Sequence, residues 1–93
     1  MRLDRFLWFA RVAKTRTIAQ ALAVSGRIRL DGRAVDRAAA PVRVGSILVF
    51  TAGDRVRALR VAALPLRRGP PTEARACYCD LIVENSSQQV VND

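Results

Sequence analysis

The side chains best suited to chemistry lie between Lys14 and Arg33, a stretch with a basic residue at nearly every break between predicted elements. Either Thr15 or Thr17 can cap a helix there, because a hydroxyl accepts a hydrogen bond from the free amides of a first helical turn. Those amides and the helix dipole favour an anion such as phosphate, and Lys14 and Arg16 add two cations beside them. The helix start therefore predicts a phosphate-binding site.

The residues that follow predict a hairpin carrying three more cations. Gly26 is suited to end the helix, because glycine readily takes positive φ. The next four residues alternate, so two basic side chains share one face and two apolar ones face a core: Arg27 and Arg29 against Ile28 and Leu30. Asp31-Gly32 is a strong type I′ turn signal and returns the chain at Arg33.

Two helices must position this stretch. The pattern over residues 2–13 predicts a first helix with one apolar stripe: Leu3, Phe6, Leu7, Ala10 and Ala13. The second helix is expected to bury Ile18, Ala21, Leu22 and Ser25. Trp8 lies off the first stripe and shares a face with Arg5. There its ring can either stack on a nucleobase or pack under a C-terminal helix, and the sequence favours neither.

A small sheet should follow the helices. Strands are predicted near residues 27–30, 33–35, 47–51 and 55–62, separated mostly by glycine turns. Arg57 has the same parity as the apolar Leu59 and Val61, which predicts a bulge or a shifted pairing in the last strand. The basic residues of that strand are interpreted as a solvated face outside the primary site: Arg55, Arg57 and Arg60.

The C-terminal part predicts a basic linker and a last helix. Thr72 is the expected cap, with Glu73 favourably placed in the first turn. The expected apolar stripe is Ala74, Cys77, Tyr78, Leu81 and Ile82. The predicted fold class is thus α+β, with two N-terminal helices packed on a small, mostly antiparallel sheet and a C-terminal helix.

These motifs resemble the S-four RNA-binding domain, whose pattern is a Ser/Thr-Arg helix start, a glycine stop and an alternating strand into Asn-Gly. The matching positions are Thr15-Arg16, Gly26, Ile28-Arg29-Leu30, Gly32, and Pro41, Val44 and Gly45 of a later turn. Asp31 departs from the commoner Asn; it keeps the turn but removes an amide donor. Further motifs resemble the fifteen-kilodalton heat-shock protein subfamily: Arg2-Leu3-Asp4-Arg5, Trp8, and Arg67-Arg68-Gly-Pro-Pro before Glu73-Ala.

The resemblance implies an αL-type RNA-binding fold over residues 1–66, with the linker and C-terminal helix at 67–83 docked on it. We expect residues 84–93 to form a disordered tail, because they are polar and lack a period. The resemblance also implies binding to ribosomal RNA of the large subunit and a role in rescuing blocked subunits under heat stress.

Charge supports a polyanion partner. The 93 residues carry a net charge of +8, and residues 1–70 alone hold fifteen basic and four acidic side chains. A signal peptide and a membrane span are not expected, which predicts a cytoplasmic protein. Cys77 and Cys79 are the only cysteines and histidine is absent, so we expect neither metal nor cofactor.

The leading hypothesis is a monomeric, non-catalytic protein that binds structured RNA, without a small-molecule substrate. Its predicted RNA contacts are Arg5, Trp8, Lys14, Thr15, Arg16, Gln20, Arg27, Arg29, Asp31, Gly32 and Arg33, with Arg37, Arg67 and Arg68 as secondary contacts. Arg37 can serve the basic face or be merely solvated. The alternatives are an accessory RNA- or tRNA-binding module of an RNA-modifying or translation enzyme and, ranked last, a protein that lies on anionic lipid.

Overall fold

The computed structural model describes residues 1–81. The predicted tail at 84–93, and Ile82 of the predicted C-terminal stripe, lie outside the described residues. Within the described part, no helix is long and apolar enough to cross a membrane.

Helices and one antiparallel sheet build the fold. The helices are α1 (Leu3–Phe9), α2 (Arg16–Val24) and α3 (Pro71–Arg75). The strands are β1 (Ile28–Leu30), β2 (Arg33–Val35), β3 (Ile47–Ala52), β4 (Arg55–Val61) and β5 (Tyr78–Leu81). The sheet order is β2-β1-β3-β4-β5, and every neighbouring pair is antiparallel. The predicted α+β class is confirmed.

The core lies between α1, α2 and one face of the sheet. A row of leucines crosses three strands in register, Leu30 opposite Leu48 and Leu48 opposite Leu59. All three are buried against the apolar stripe of α1, which includes the fully buried Phe6. Burial of each such side chain contributes about 1.5 to 3 kcal/mol, which makes this row the main support of the sheet.

The first helix ends earlier than the pattern over residues 2–13 predicts. Arg11 takes a left-handed conformation with φ of 59°, its amide donates to Trp8 O, and the Val12 amide donates to Leu7 O. This pair of bonds is a Schellman motif, which satisfies the last carbonyls of α1. All five stripe residues are nevertheless buried, as predicted.

The buried face of α2 differs from the prediction. Ala19 and Ala23 are fully buried, whereas Ile18 is 50% exposed and Leu22 only half-buried. Residues four apart share one helix face, and two alanines let α2 approach its neighbours closely. Ala21 and Ser25 are exposed as well, so the predicted stripe of α2 was wrong: the face that contacts the core is one position further along the helix.

The C-terminal helix is shorter than predicted and begins elsewhere. Pro70 is its N-cap residue, and Thr72 lies inside the helix, which ends at Arg75. The chain then continues as β5, whose Tyr78 pairs with Val61 of β4. Without β5, the outer edge of β4 would leave backbone donors and acceptors without partners, so strand pairing outweighs the helical spacing of the apolar residues.

The predicted bulge in β4 is also wrong. The pairing with β3 is continuous from Ile47 opposite Arg60 to Ala52 opposite Arg55. Ala58 and Leu59 lie on opposite faces of β4 and are both buried, so both faces are covered at this point of the strand. The parity of apolar residues there does not predict the pairing.

Candidate nucleic-acid interface

Thr15, and not Thr17, caps the start of α2. Its side-chain oxygen accepts a hydrogen bond from the Ile18 amide over 3.0 Å. Arg16 is therefore the first helical residue, where the leading amides have no acceptor within the helix. Lys14 and Arg16 are both exposed, which leaves their charges open to an anion at this end.

A cleft of about 240 Å³ opens between α1 and α2. Four residues predicted for the site line it: Arg5, Trp8, Arg16 and Gln20. Three further lining residues were not predicted as contacts: Arg2, Asp4 and Phe9. Their spacing offered a signal, because α1 residues one helical turn apart share a face with Arg5 and Trp8. The cleft combines three arginines with two aromatic rings, a composition suited to a phosphate beside a base or sugar.

The Trp8 ring packs against two guanidinium groups. The Cζ atom of Arg16 lies 4.7 Å from the ring centroid, and that of Arg68 lies 5.3 Å away. Both distances suit cation–π attraction. The ring is half-buried, and its contact with Arg68 brings the linker, residues 67–70, against it. Stacking of Trp8 on a nucleobase stays a prediction.

Asp4, the acidic residue of the cleft, is already paired with its neighbours at the start of α1. Asp4 accepts hydrogen bonds from the Arg2 side chain over 3.0 and 3.3 Å and from the Arg5 amide over 2.8 Å. The hydrogen bond and the charge of Asp4 raise the pKa of the Arg2 guanidinium. None of the four ion pairs seen within residues 1–81 includes the side chain of Arg5 or Arg16.

The hairpin groups the remaining primary residues. Asp31 and Gly32 have φ values of 52° and 87°, as a type I′ turn requires. The Asp31 carboxylate accepts a hydrogen bond from the Ile47 amide over 2.9 Å. The backbone amide of Asp31 donates a second hydrogen bond to the Ile47 carbonyl. Asp31 thus anchors the turn to β3 through an oxygen that Asp and Asn share, which explains why the departure from Asn is tolerated.

The predicted alternation of the first hairpin strand is confirmed. Ile28 and Leu30 are buried, while the basic side chains of the hairpin are exposed: Arg27, Arg29 and Arg33. Arg29 also donates to the Gly32 carbonyl over 3.3 Å. The predicted residues thus form two groups, the cleft with Lys14 and Thr15 beside it, and the hairpin. The two groups are joined where Gly26 leads from α2 into β1.

The three predicted secondary contacts have different surroundings. Arg37 is exposed in the connection between β2 and β3. Arg67 forms an ion pair with Glu73, with 2.7 Å between Nη2 and Oε1. Arg68 is half-buried and donates to the backbone carbonyls of Trp8, Ala13 and Lys14. Of the three guanidinium groups, only that of Arg37 is seen without a hydrogen-bond or ion-pair partner among the described residues.

The two cysteines are unpaired thiols. Cys77 is buried and Cys79 is exposed. Burial raises the pKa of the Cys77 thiol, with a smaller contribution from the charge of Glu73. A thiol with a raised pKa is a poor nucleophile, which agrees with a packing role for Cys77.

In comparison with known proteins, one family model covers the residues of both the cleft and the hairpin. Residues 1–48 match the family model described as the S4 domain, the S-four domain named above. A heat shock protein 15 homolog of Haemophilus influenzae is 37% identical over 79 residues, which cover 84% of this chain and 59% of that protein. Heat shock protein 15 of Escherichia coli K12 is 31% identical over 78 residues, which cover 84% and 58%.

A solved structure shares the fold. The structure described as trimeric heat shock protein 15 of Vibrio cholerae superposes with a TM-score of 0.83 at 23% identity, and the match covers 94% of this chain and 87% of that one. The chain spans less than two thirds of the length of the two curated relatives above. The resemblance stated from the motifs is confirmed, and the chain belongs to the S4 domain family.

Proposed function

We propose that this protein binds structured RNA and catalyses no reaction on it. The observation that carries the proposal is Arg16, which stands at the capped start of α2, faces the cleft, and takes part in none of the ion pairs seen within residues 1–81. A guanidinium there can donate two hydrogen bonds to one phosphate while the helix amides and dipole attract the same anion. The hairpin arginines extend the basic surface to a second stretch of backbone.

Folded RNA suits this arrangement better than a regular duplex. A helix start and a hairpin are two separate elements, whereas a duplex major groove accepts one continuous helix or ribbon. The cleft also offers aromatic side chains, which suit unstacked bases in loops and bulges.

We further propose that the RNA is ribosomal RNA of the large subunit, and that the protein acts in the cytoplasm in ribosome rescue or recycling under heat stress. The support is the family resemblance together with relatives named heat shock protein 15.

We expect a monomer, which light scattering of the purified chain will test against the trimer named for the Vibrio cholerae protein.

Crosslinking in heat-stressed cells, followed by sequencing of the bound RNA, tests the proposed target. We expect enrichment of large-subunit ribosomal RNA, and loss of that enrichment in Arg16→Ala. Recovery of diffuse messenger RNA in the same experiment would instead indicate a general RNA-binding protein.

The salt dependence of binding tests the mechanism separately from the target. Each neutralised phosphate releases condensed counterions, so log affinity should fall linearly with log salt. For single-stranded contacts the slope is about −0.7 per phosphate, so five contacts give a slope of roughly −3 to −4. A slope near zero would exclude an electrostatic interface.

A further inference from the structure

The linker docks on the connection between α1 and α2 through one arginine. The Arg68 guanidinium donates to the carbonyl oxygens of Trp8, of Ala13 over 3.4 Å and of Lys14 over 3.2 Å. The Trp8 carbonyl belongs to the last turn of α1, and the Lys14 carbonyl immediately precedes the cap of α2. One planar fork therefore sets the position of both helix ends that border the cleft.

A further hydrogen bond runs from the α1–α2 connection to the linker. Arg11 Nε donates to the Gly69 carbonyl over 2.7 Å. Arg11 also holds a left-handed backbone conformation, which is strained for a non-glycine residue and persists only where surrounding contacts enforce it. The bond to Gly69 is such a contact, so the turn that ends α1 and the linker support each other.

The Trp8 ring joins this structure to the cleft. Arg16 and Arg68 lie 4.7 and 5.3 Å from the same ring centroid, although one comes from the start of α2 and the other from the linker. A cation held over a ring loses part of its rotational freedom before any ligand arrives, which lowers the entropy lost on binding. Arg68 contacts Trp8 twice, through a hydrogen bond to its backbone carbonyl and through its guanidinium over the indole ring. The Trp8 ring, fixed in this way, orients Arg16.

We propose that Trp8 and Arg68 are positioning residues for Arg16, so that docking of the linker sets the RNA affinity of the cleft without Arg68 itself contacting RNA. This inference rests on the proposed RNA-binding function and replaces the expectation that Arg68 is a secondary RNA contact. Three hydrogen bonds to carbonyls and a half-buried position leave the Arg68 fork poorly placed to grip a phosphate. Its neighbour Arg67 is directed at Glu73.

A double-mutant cycle on the full chain tests the proposal, with one defined RNA stem-loop as the probe. We expect Arg68→Ala to weaken binding about fivefold, the scale of one partly desolvated cation–π contact. In an Arg16→Ala background the same change should have almost no further effect, because the residue being positioned is gone. Independent losses that multiply in the double variant would overturn the proposal.

Arg68→Lys separates positioning from phosphate binding and covers the case in which Arg68→Ala does not fold. Lysine keeps the charge and binds phosphate well as a point charge, but it cannot bond three carbonyls from one plane. We expect Arg68→Lys to lose about as much affinity as Arg68→Ala. Retention of the original affinity would show a direct phosphate contact. Arg55→Ala, which removes one exposed charge at the start of β4, is the control for Arg68→Ala.

A measurement without RNA keeps the two proposals distinguishable. Trp8 is the only tryptophan, so its fluorescence and its indole N–H resonance report on this ring alone. We expect Arg68→Lys to shift both signals together with the Arg16 side-chain resonance. An unchanged Arg16 resonance would overturn the positioning role even if the chain binds RNA. A shifted resonance in a chain that binds no RNA would support positioning while the proposed function fails.

Discussion

Among residues 1–81, arginines lie over three aromatic rings, and two of these places differ in what lies beside the cation. In the cleft, Arg16 is 4.7 Å from the Trp8 centroid. In the β4–β5 cluster, formed by Arg57, Arg75, Tyr78 and Asp80, Arg75 is 5.1 Å from the Tyr78 centroid and its Nη1 is 2.9 Å from an Asp80 oxygen. The other Asp80 oxygen bonds Arg57 over 3.0 Å.

Stacking on a ring is common to both places, so stacking alone does not mark a binding surface. The carboxylate makes the difference, because an arginine that already shares its donors with Asp80 must give up that partner before it can bind phosphate. In the cleft, Asp4 neutralises Arg2 and leaves Arg5 and Arg16 outside the ion pairs of residues 1–81. The β4–β5 cluster thus ties its arginines to a carboxylate, whereas Arg5 and Arg16 of the cleft keep their donors outside these ion pairs.

The largest effect is expected when Arg16 is removed from the cleft. Charge-assisted hydrogen bonds contribute roughly 1.5 to 3 kcal/mol, so Arg16→Ala should weaken RNA binding about tenfold or more with folding intact by circular dichroism. Arg57→Ala should lose less, since Arg57 acts only through a field that physiological salt screens over about 8 Å.

Arg55→Ala is the sharper control for this comparison. Arg57 bonds Asp80 and lies 5.7 Å from the Phe50 centroid, so its removal also changes stability. Arg55 is exposed at the start of β4. Equal losses for Arg16→Ala and Arg55→Ala in a binding titration at physiological salt would contradict a localised site.

The next effect comes from placing a carboxylate beside Arg16, which forms none of the ion pairs seen within residues 1–81. Gln20 lies four residues after Arg16 and lines the same cleft, so Gln20→Glu places a carboxylate one helical turn from the guanidinium. We expect RNA affinity to fall several-fold, up to about tenfold, because the new charge pairs with Arg16 and repels phosphate. Gln20→Met, which keeps length without charge, is the control. If the two variants bind equally well, the carboxylate does not decide the function of an arginine here.

The converse change in the β4–β5 cluster should have a smaller effect of opposite sign. Asp80→Asn keeps the shape but releases Arg57 and Arg75 from their shared carboxylate. We expect RNA affinity to rise by less than about fivefold, and stability to fall by less than about 1 kcal/mol because the pairs are largely exposed. Binding titration and thermal unfolding measure the two. A gain larger than the loss in Arg16→Ala would mean that this cluster is the main RNA surface.

The smallest effect concerns the ion pair beside the linker. The hydrogen bond from Arg67, assisted by its charge, lowers the pKa of Glu73 below its usual value. The stabilisation is therefore present above the unfolded-state pKa of about 4.5 and is lost as the pH falls through the lower folded-state pKa. The unfolding temperature of the native chain should be slightly higher than that of Glu73→Gln at pH 6, and the two temperatures should be equal near pH 3. A difference that grows towards acid pH would reverse the assigned sign.

Much of the site could be predicted from the sequence because its determinants are local. The Thr15 cap lies three residues from the amide it binds, and the Asp31-Gly32 turn needs only its own two backbone conformations. The alternation around Ile28 and Leu30 likewise follows from strand geometry. For the same reason the start of α2 and the first hairpin agreed with prediction almost residue by residue.

Tertiary structure decided the features that depend on distant partners. Residues 78–81 have helical spacing but form β5, because the edge of β4 offers backbone partners seventeen or more residues earlier in the chain. Ala19 and Ala23 are buried instead of larger neighbours because close packing of α2 favours small side chains.

The surroundings of Trp8 show the same division at the site itself. The sequence alone determined that a tryptophan would lie on the α1 face that carries Arg5, off the buried stripe. Only the tertiary structure decided that Arg68, sixty residues away, would bond its carbonyl and lie over its ring beside Arg16. The physical reason is that periodicity and capping act within a few residues, whereas a cation–π contact depends on which elements the fold brings together.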